Sequence, residues 1–218
     1  MMKKFAVILS GSGVYDGSEI HEATLALLAI HNNESEYQCF APDINQHHVI
    51  NHISGEVMNE SRNVLVESAR IARGNIKALS ELSVKDFDGI ILPGGFGAAK
   101  NLSTYAFDGA DFEVLEELKN ILIEAQEAEI PIGGMCIAPV ILAKTFNEAT
   151  VTIGNDEKTA DDIEKMGSSH LKTSHGEVIA DKKHMIFTTP CYMLDSSLVD
   201  IYEGANNLIK SMIENMNQ

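Results

Sequence analysis

The chain has 218 residues, 44% of them hydrophobic and 22% charged, which is enough apolar material for one sizeable buried core. Thirty-two acidic against sixteen basic residues leave a formal charge of −16, which repels phosphate and argues against nucleic acid and anionic membrane surfaces as partners. No apolar run approaches the ~18–20 residues that a membrane span requires.

Residues 4–10 follow Lys3 and Lys4 as a short apolar run. Glycines and polar residues come next and acidic ones soon after, so the run reads as a first buried strand rather than a signal peptide. A loop at 10–19 leads into a helical pattern at 20–32, whose apolar positions include Ile20, Ala23, Leu27 and Leu28. Further strand-like runs lie at 36–41, 89–93 and 131–135, with later ones at 150–153, 178–180 and 185–188. Helical patterns occupy 63–73, 110–129 and 196–215. Strands alternating with helices predict an α/β protein: a doubly wound, flavodoxin-like three-layer sandwich with a mostly parallel central sheet. The region at 154–174 and a hairpin of 178–180 with 185–188 read as appended features. No linker or repeat interrupts the chain, so one domain over 1–218 is expected. Cys39, Cys136 and Cys191 are too few and too far apart for a disulfide framework, which predicts a reducing, cytoplasmic setting. The sequons at Asn33, Asn59 and Asn101 are then chance matches.

The stretch Ile132-Gly133-Gly134-Met135-Cys136-Ile137-Ala138-Pro139 carries the most chemistry. A strand ends near two glycines, a single cysteine follows, and an apolar helix begins at once. Such a turn lifts a thiol above the sheet edge beside a helix N-terminus, which favours thiolate and makes Cys136 a candidate nucleophile. Gly94 and Gly95 end another strand, and their amides, with that of Ile137, are candidates for an oxyanion hole. Gly11 and Gly13 suggest a dinucleotide loop, but Asp16 stands where its third glycine belongs. Glu22, early in the first helix, is placed to point across the strand ends toward Cys136. Buried against a thiol it would keep its proton and donate or shuttle it. His21 reads as a neighbour rather than a base. His47, His48 and His52 lack acidic or cysteine partners at ligand spacing, so no metal is expected.

The segments LSGSGVYDGSEIHEA, CFAPD, VINHISGE, RNVLVESARIARG, LPGGFGAAKNLS, MCIAP and TTPCYM together resemble the ElbB group, the enhancing lycopene biosynthesis protein 2 or sigma cross-reacting protein 27A proteins. That group falls in the PfpI-like, class I glutamine amidotransferase-like superfamily, and the resemblance spans nearly the whole chain. It implies that Cys136 is the nucleophile, that Glu22 hydrogen-bonds it, and that Gly94 and Gly95 belong to the LPGG loop. It also implies a flavodoxin-like fold, a homodimer, and a glyoxalase activity that needs no cofactor and turns glyoxal into glycolate. True glutamine amidotransferases carry a His-x-Glu pair after a late strand, where this chain has Thr189-Pro190-Cys191. His175-Gly176-Glu177 spells the pair but precedes the hairpin. Thr189 and Cys191 are expected to line the site if the TTPCYM segment does, with Cys191 a candidate resolving thiol.

The expectation is therefore a thiol enzyme acting on a small 1,2-dicarbonyl. The alternative is a cysteine-based redox or stress sensor, or a partner-binding protein, with only incidental glyoxalase activity.

Overall fold

The computed structural model describes residues 2–216. β1 (Lys4–Ile8) is sealed on both sides, as an inner strand of a parallel sheet must be, and its side chains alternate between two cores. Ala6 and Ile8 enter one, Phe5 and Val7 the other. The chain continues through α1 (Ile20–Asn32), β2 (Glu36–Ala41), α2 (Val64–Ile71), β3 (Ile76–Ala78), β4 (Gly89–Leu92), α3 (Phe96–Lys100) and α4 (Tyr105–Asp108). Then come α5 (Glu116–Glu127), β5 (Ile132–Met135), α6 (Pro139–Thr145), β6 (Thr150–Val151), α7 (Glu157–Lys165), β7 (Ser169–His170), β8 (Ile179–Asp181), β9 (Ile186–Thr189) and α8 (Leu198–Asn215).

Seven strands form one sheet in the order β3-β2-β1-β4-β5-β9-β8. Every neighbouring pair is parallel except β8 with β9 at the edge. Helices α1, α2 and α8 cover one face, and α3, α5, α6 and α7 the other. The doubly wound three-layer α/β sandwich is thus the observed architecture. Strand order reverses between β1 and β4, which opens a crevice beyond their carboxyl ends.

Several sequence expectations change. The last strand is no appendage: β9 lies beside β5 and pairs with it from Ile132↔Ile186 to Met135↔Thr189. The apolar run at 150–153 leaves the main sheet and pairs with β7 as a small separate ribbon. The helix expected from 110 starts only at Glu116: Gly109–Asp111 form a 3-10 turn, and a Ser103–Val114 bridge with the Glu113 N–H donating to Thr104 Oγ1 (3.0 Å) holds the chain after it extended. Helix α1 buries Ala23, Ala26, Leu27, Ala29 and Ile30, whereas Ile20 and Leu28 face solvent. Small residues on that buried face let α1 pack closely against α8.

Candidate active site

β5 ends at Met135, and the backbone N–H of Cys136 donates to the Thr189 carbonyl of β9 at 3.0 Å. This bond anchors the chain as it leaves the sheet. Cys136 then takes φ +59°, a left-handed conformation that non-glycine residues adopt at a cost of order 1 kcal/mol. Helix α6 opens at Pro139, whose fixed φ suits a first helical position. The loop after β4 passes directly over this elbow. A Cβ on Gly94 would overlap the Cβ of Cys136 and stand 2.6 Å from Glu22 Oε2, so only glycine fits there.

Glu22, in the first turn of α1, is fully buried. Its Oε2 accepts the Gly94 N–H and its Oε1 the Tyr192 N–H, both at 3.1 Å. Its own backbone N–H donates to Oε2 of Glu19, the helix N-cap, at 2.7 Å. Burial pushes the Glu22 carboxyl up to about 8, the charge of Glu19 adds to the rise, and the bonds from Tyr192, Cys136 and Gly94 oppose it. The carboxyl therefore carries a proton at neutral pH.

The Glu22 carboxyl and the Cys136 thiol converge on the same space beside Gly94. Burial also pushes the thiol well above its ordinary range, with Glu22 and Cys191 raising it further and the Gly95 N–H, aimed at the sulfur, pulling the other way. The expectation that the helix end would favour thiolate is corrected. Cys136 is buried and stands three residues ahead of the first residue of α6, so the desolvation cost outweighs the helix field.

Other expected site residues fall as follows. The Gly94 amide is committed to Glu22 and is not free to hold an oxyanion. Gly95 and Ile137 line the cavity above the thiol. The Ile137 amide has no acceptor among the described residues. Cys191 lies beside Cys136, buried and also left-handed at φ +44°. Thr189 holds the elbow through its carbonyl, while its hydroxyl donates to the Glu177 carbonyl at 2.9 Å. His21 turns outward and its Nδ1 meets the Tyr192 hydroxyl at 2.9 Å. His175 and Glu177 line a different cavity, of about 310 Å³, that shares no residue with the one at Cys136. No group of three or more metal-ligating side chains occurs among the described residues.

Sequence reasoning missed Glu19 and Tyr192. A carboxylate three positions before Glu22 is the signal for the first, since an acceptor at N-cap bonds an amide two or three residues on. Nothing local signals the second, 170 positions away. It also missed the chamber. Cys136 opens into a cavity of about 460 Å³ walled by the β4 loop, α4, the start of α7 and the turn after β9.

A doubly wound α/β sandwich with a cysteine on a strand-to-helix elbow defines an amidotransferase-like protein. The comparisons narrow the class. The chain is 44% identical, over 97% of its length and 82% of the relative's, to the human glutamine amidotransferase-like class 1 domain-containing protein 3, mitochondrial. It is also 44% identical, over 97% of its length and 83% of the relative's, to the ES1 protein homolog, mitochondrial, of Rattus norvegicus. It therefore belongs to the ES1, glutamine amidotransferase-like class 1 family. A solved isoprenoid biosynthesis protein with an amidotransferase-like domain from Ehrlichia chaffeensis superposes with a TM-score of 0.91 at 38% identity, covering 98% of this chain and 99% of that one. Glyoxalase III of Candida albicans shares the fold, with a TM-score of 0.60 at 16% identity over 98% and 97% of the two chains. No family model matches. The expected cytoplasmic location is corrected, because these curated relatives are named mitochondrial.

Proposed function

We propose that this chain is a member of the ElbB group that converts glyoxal to glycolate without a cofactor, with Cys136 as nucleophile. One observation carries the reading: a buried thiol and a buried carboxyl converge over Gly94 beneath a cavity of about 460 Å³. A pair of this kind loses its first proton near pH 8. The carboxylate that forms on Glu22 is then a base beside the thiol, and it takes the thiol's proton as the sulfur attacks.

Sulfur adds to one aldehyde carbon, and the alkoxide that forms faces the amides of Gly95 and Ile137. Protonation of the alkoxide gives a hemithioacetal. Its C–H proton is removed to form an enediol, and the neighbouring carbon takes a proton, leaving a thioester of glycolic acid. Water cleaves the thioester to glycolate and the free thiol, so the sum is glyoxal plus water giving glycolate and one proton. Glu22 is the proton carrier at the sulfur.

Glycolate formation should vanish in Cys136→Ala and fall about 10²-fold or more in Glu22→Gln. A wild type no faster than Cys136→Ala would sink the reading.

A further inference from the structure

Glyoxal has four heavy atoms and fills the space of two or three water molecules. The cavity over Cys136 holds about 460 Å³, within the range that takes drug-sized ligands. We propose that the substrate of this site is a larger α-oxoaldehyde, one carrying an apolar body and a cationic amine. The proposal rests on the glyoxalase reading and names its substrate class.

Charge supplies the first support. Glu19, Asp156 and Asp162 line the cavity against a single ammonium, Lys158. Lys165 pairs with Asp162 at 3.1 Å from outside the lining, so among the lining side chains themselves three carboxylates face one ammonium. Glu19 is a buried residue. One oxygen caps α1, and among the described residues the only basic side chain within 4.0 Å of the other is His21, whose Nδ1 stands 3.9 Å away. The open end of α7 would ordinarily attract an anion. Here Asp156 takes that place, its Oδ2 accepting the Thr159 N–H at 2.8 Å. Asp156, Thr159 and Asp162 follow at three-residue intervals and form one face of α7 toward the cavity.

The aromatic lining supplies the second. Phe96 and Phe107, nearly half exposed, sit at the cavity with Tyr192. Exposed phenyl faces beside carboxylates bind ammonium groups through their negative ring faces. The Lys100 ammonium already stands 5.1 Å from the Phe96 ring centroid. An anionic oxoaldehyde would meet the carboxylates of Glu19, Asp156 and Asp162 with Lys158 as the one lining ammonium.

The test uses three arylglyoxals with one reacting group: phenylglyoxal and its para-trimethylammonium and para-carboxylate derivatives. The cationic compound should exceed the carboxylate in kcat/KM by tenfold or more at low salt, mostly through KM. Asp156→Asn, which keeps a good helix cap, should shrink that ratio at least threefold. As a reading free of turnover, millimolar benzyltrimethylammonium should slow alkylation of Cys136 by iodoacetamide, whereas 3-phenylpropionate should not. Cys136-dependent glyoxal turnover with no preference for the cation, and no protection by it, would overturn this proposal alone. Protection without any dicarbonyl turnover would uphold the cationic ligand and overturn the glyoxalase reading.

Discussion

At the scale of single residues, Glu22 is the group on which the site turns. Its carboxyl goes from an ordinary 4.5 to about 8 on folding. Between those values the folded chain keeps a proton that the unfolded chain has released. Stability therefore falls as pH rises from about 4.5 through 8, at roughly 1.4 kcal/mol per pH unit, or about 3 kcal/mol by pH 7. Gln at this position cannot ionise. Denaturant melts of wild type and Glu22→Gln from pH 5 to 8 should diverge in slope, the variant losing that decline. Parallel curves would mean that Glu22 is already ionised in the folded chain. The candidacy of Cys136 and Glu22 was legible in sequence because a lone cysteine after a glycine-rich strand and a glutamate at a helix start are local patterns. The direction of the thiol's shift was not, since it depends on burial by residues far apart in the chain.

At the scale of elements, β5 shows how glycine sets layer spacing. A Cβ on Gly133 would lie 2.6 Å from Ile91 Cδ1 and 2.8 Å from Met212 Sδ of α8. Gly133→Val should cost about 1–3 kcal/mol in denaturant unfolding through overpacking, and α8 would lift from the sheet. Unchanged stability would mean that this face is loosely packed. Asn101 ties three loops at once: its Nδ2 donates to the carbonyls of Ser10 and Asp16, and its Oδ1 accepts the His47 N–H, all at 2.9 Å. Its burial leaves the sequon at that position no accessible amide. Helix α1 and strand β2 were read to the residue, because their ends carry clear punctuation. The short α3, α4 and α7 escaped because runs of four to nine residues hold too few turns for a periodicity to stand out. The place of β9 escaped for another reason: pairing across the sheet is set by topology, and a strand's sequence does not name its neighbour.

At the scale of the whole molecule, charge and wiring matter most. A chain of −16 repels itself in the compact state. Salt shortens the screening length to about 10 Å at 0.1 M. The thermal midpoint at neutral pH should therefore rise by a few degrees between 10 and 200 mM sodium chloride. A flat response would mean that local ion pairs, such as Arg70 with Glu67 at 2.9 Å, already offset the repulsion. The negative composition carried no information about where the protein resides.

The 3.1 Å bond from the Tyr192 N–H to Glu22 has a consequence for synthesis. Glu22 emerges early from the ribosome, and the amide it needs comes 170 residues later. Until the last strand slots in beside β5, that glutamate is hydrated and ionised and the cysteine is an ordinary exposed thiol. A nascent or truncated chain thus lacks the buried pairing of Glu22 with Cys136 and presents an alkylatable cysteine, and the pair comes together only when the turn after the last strand is in place.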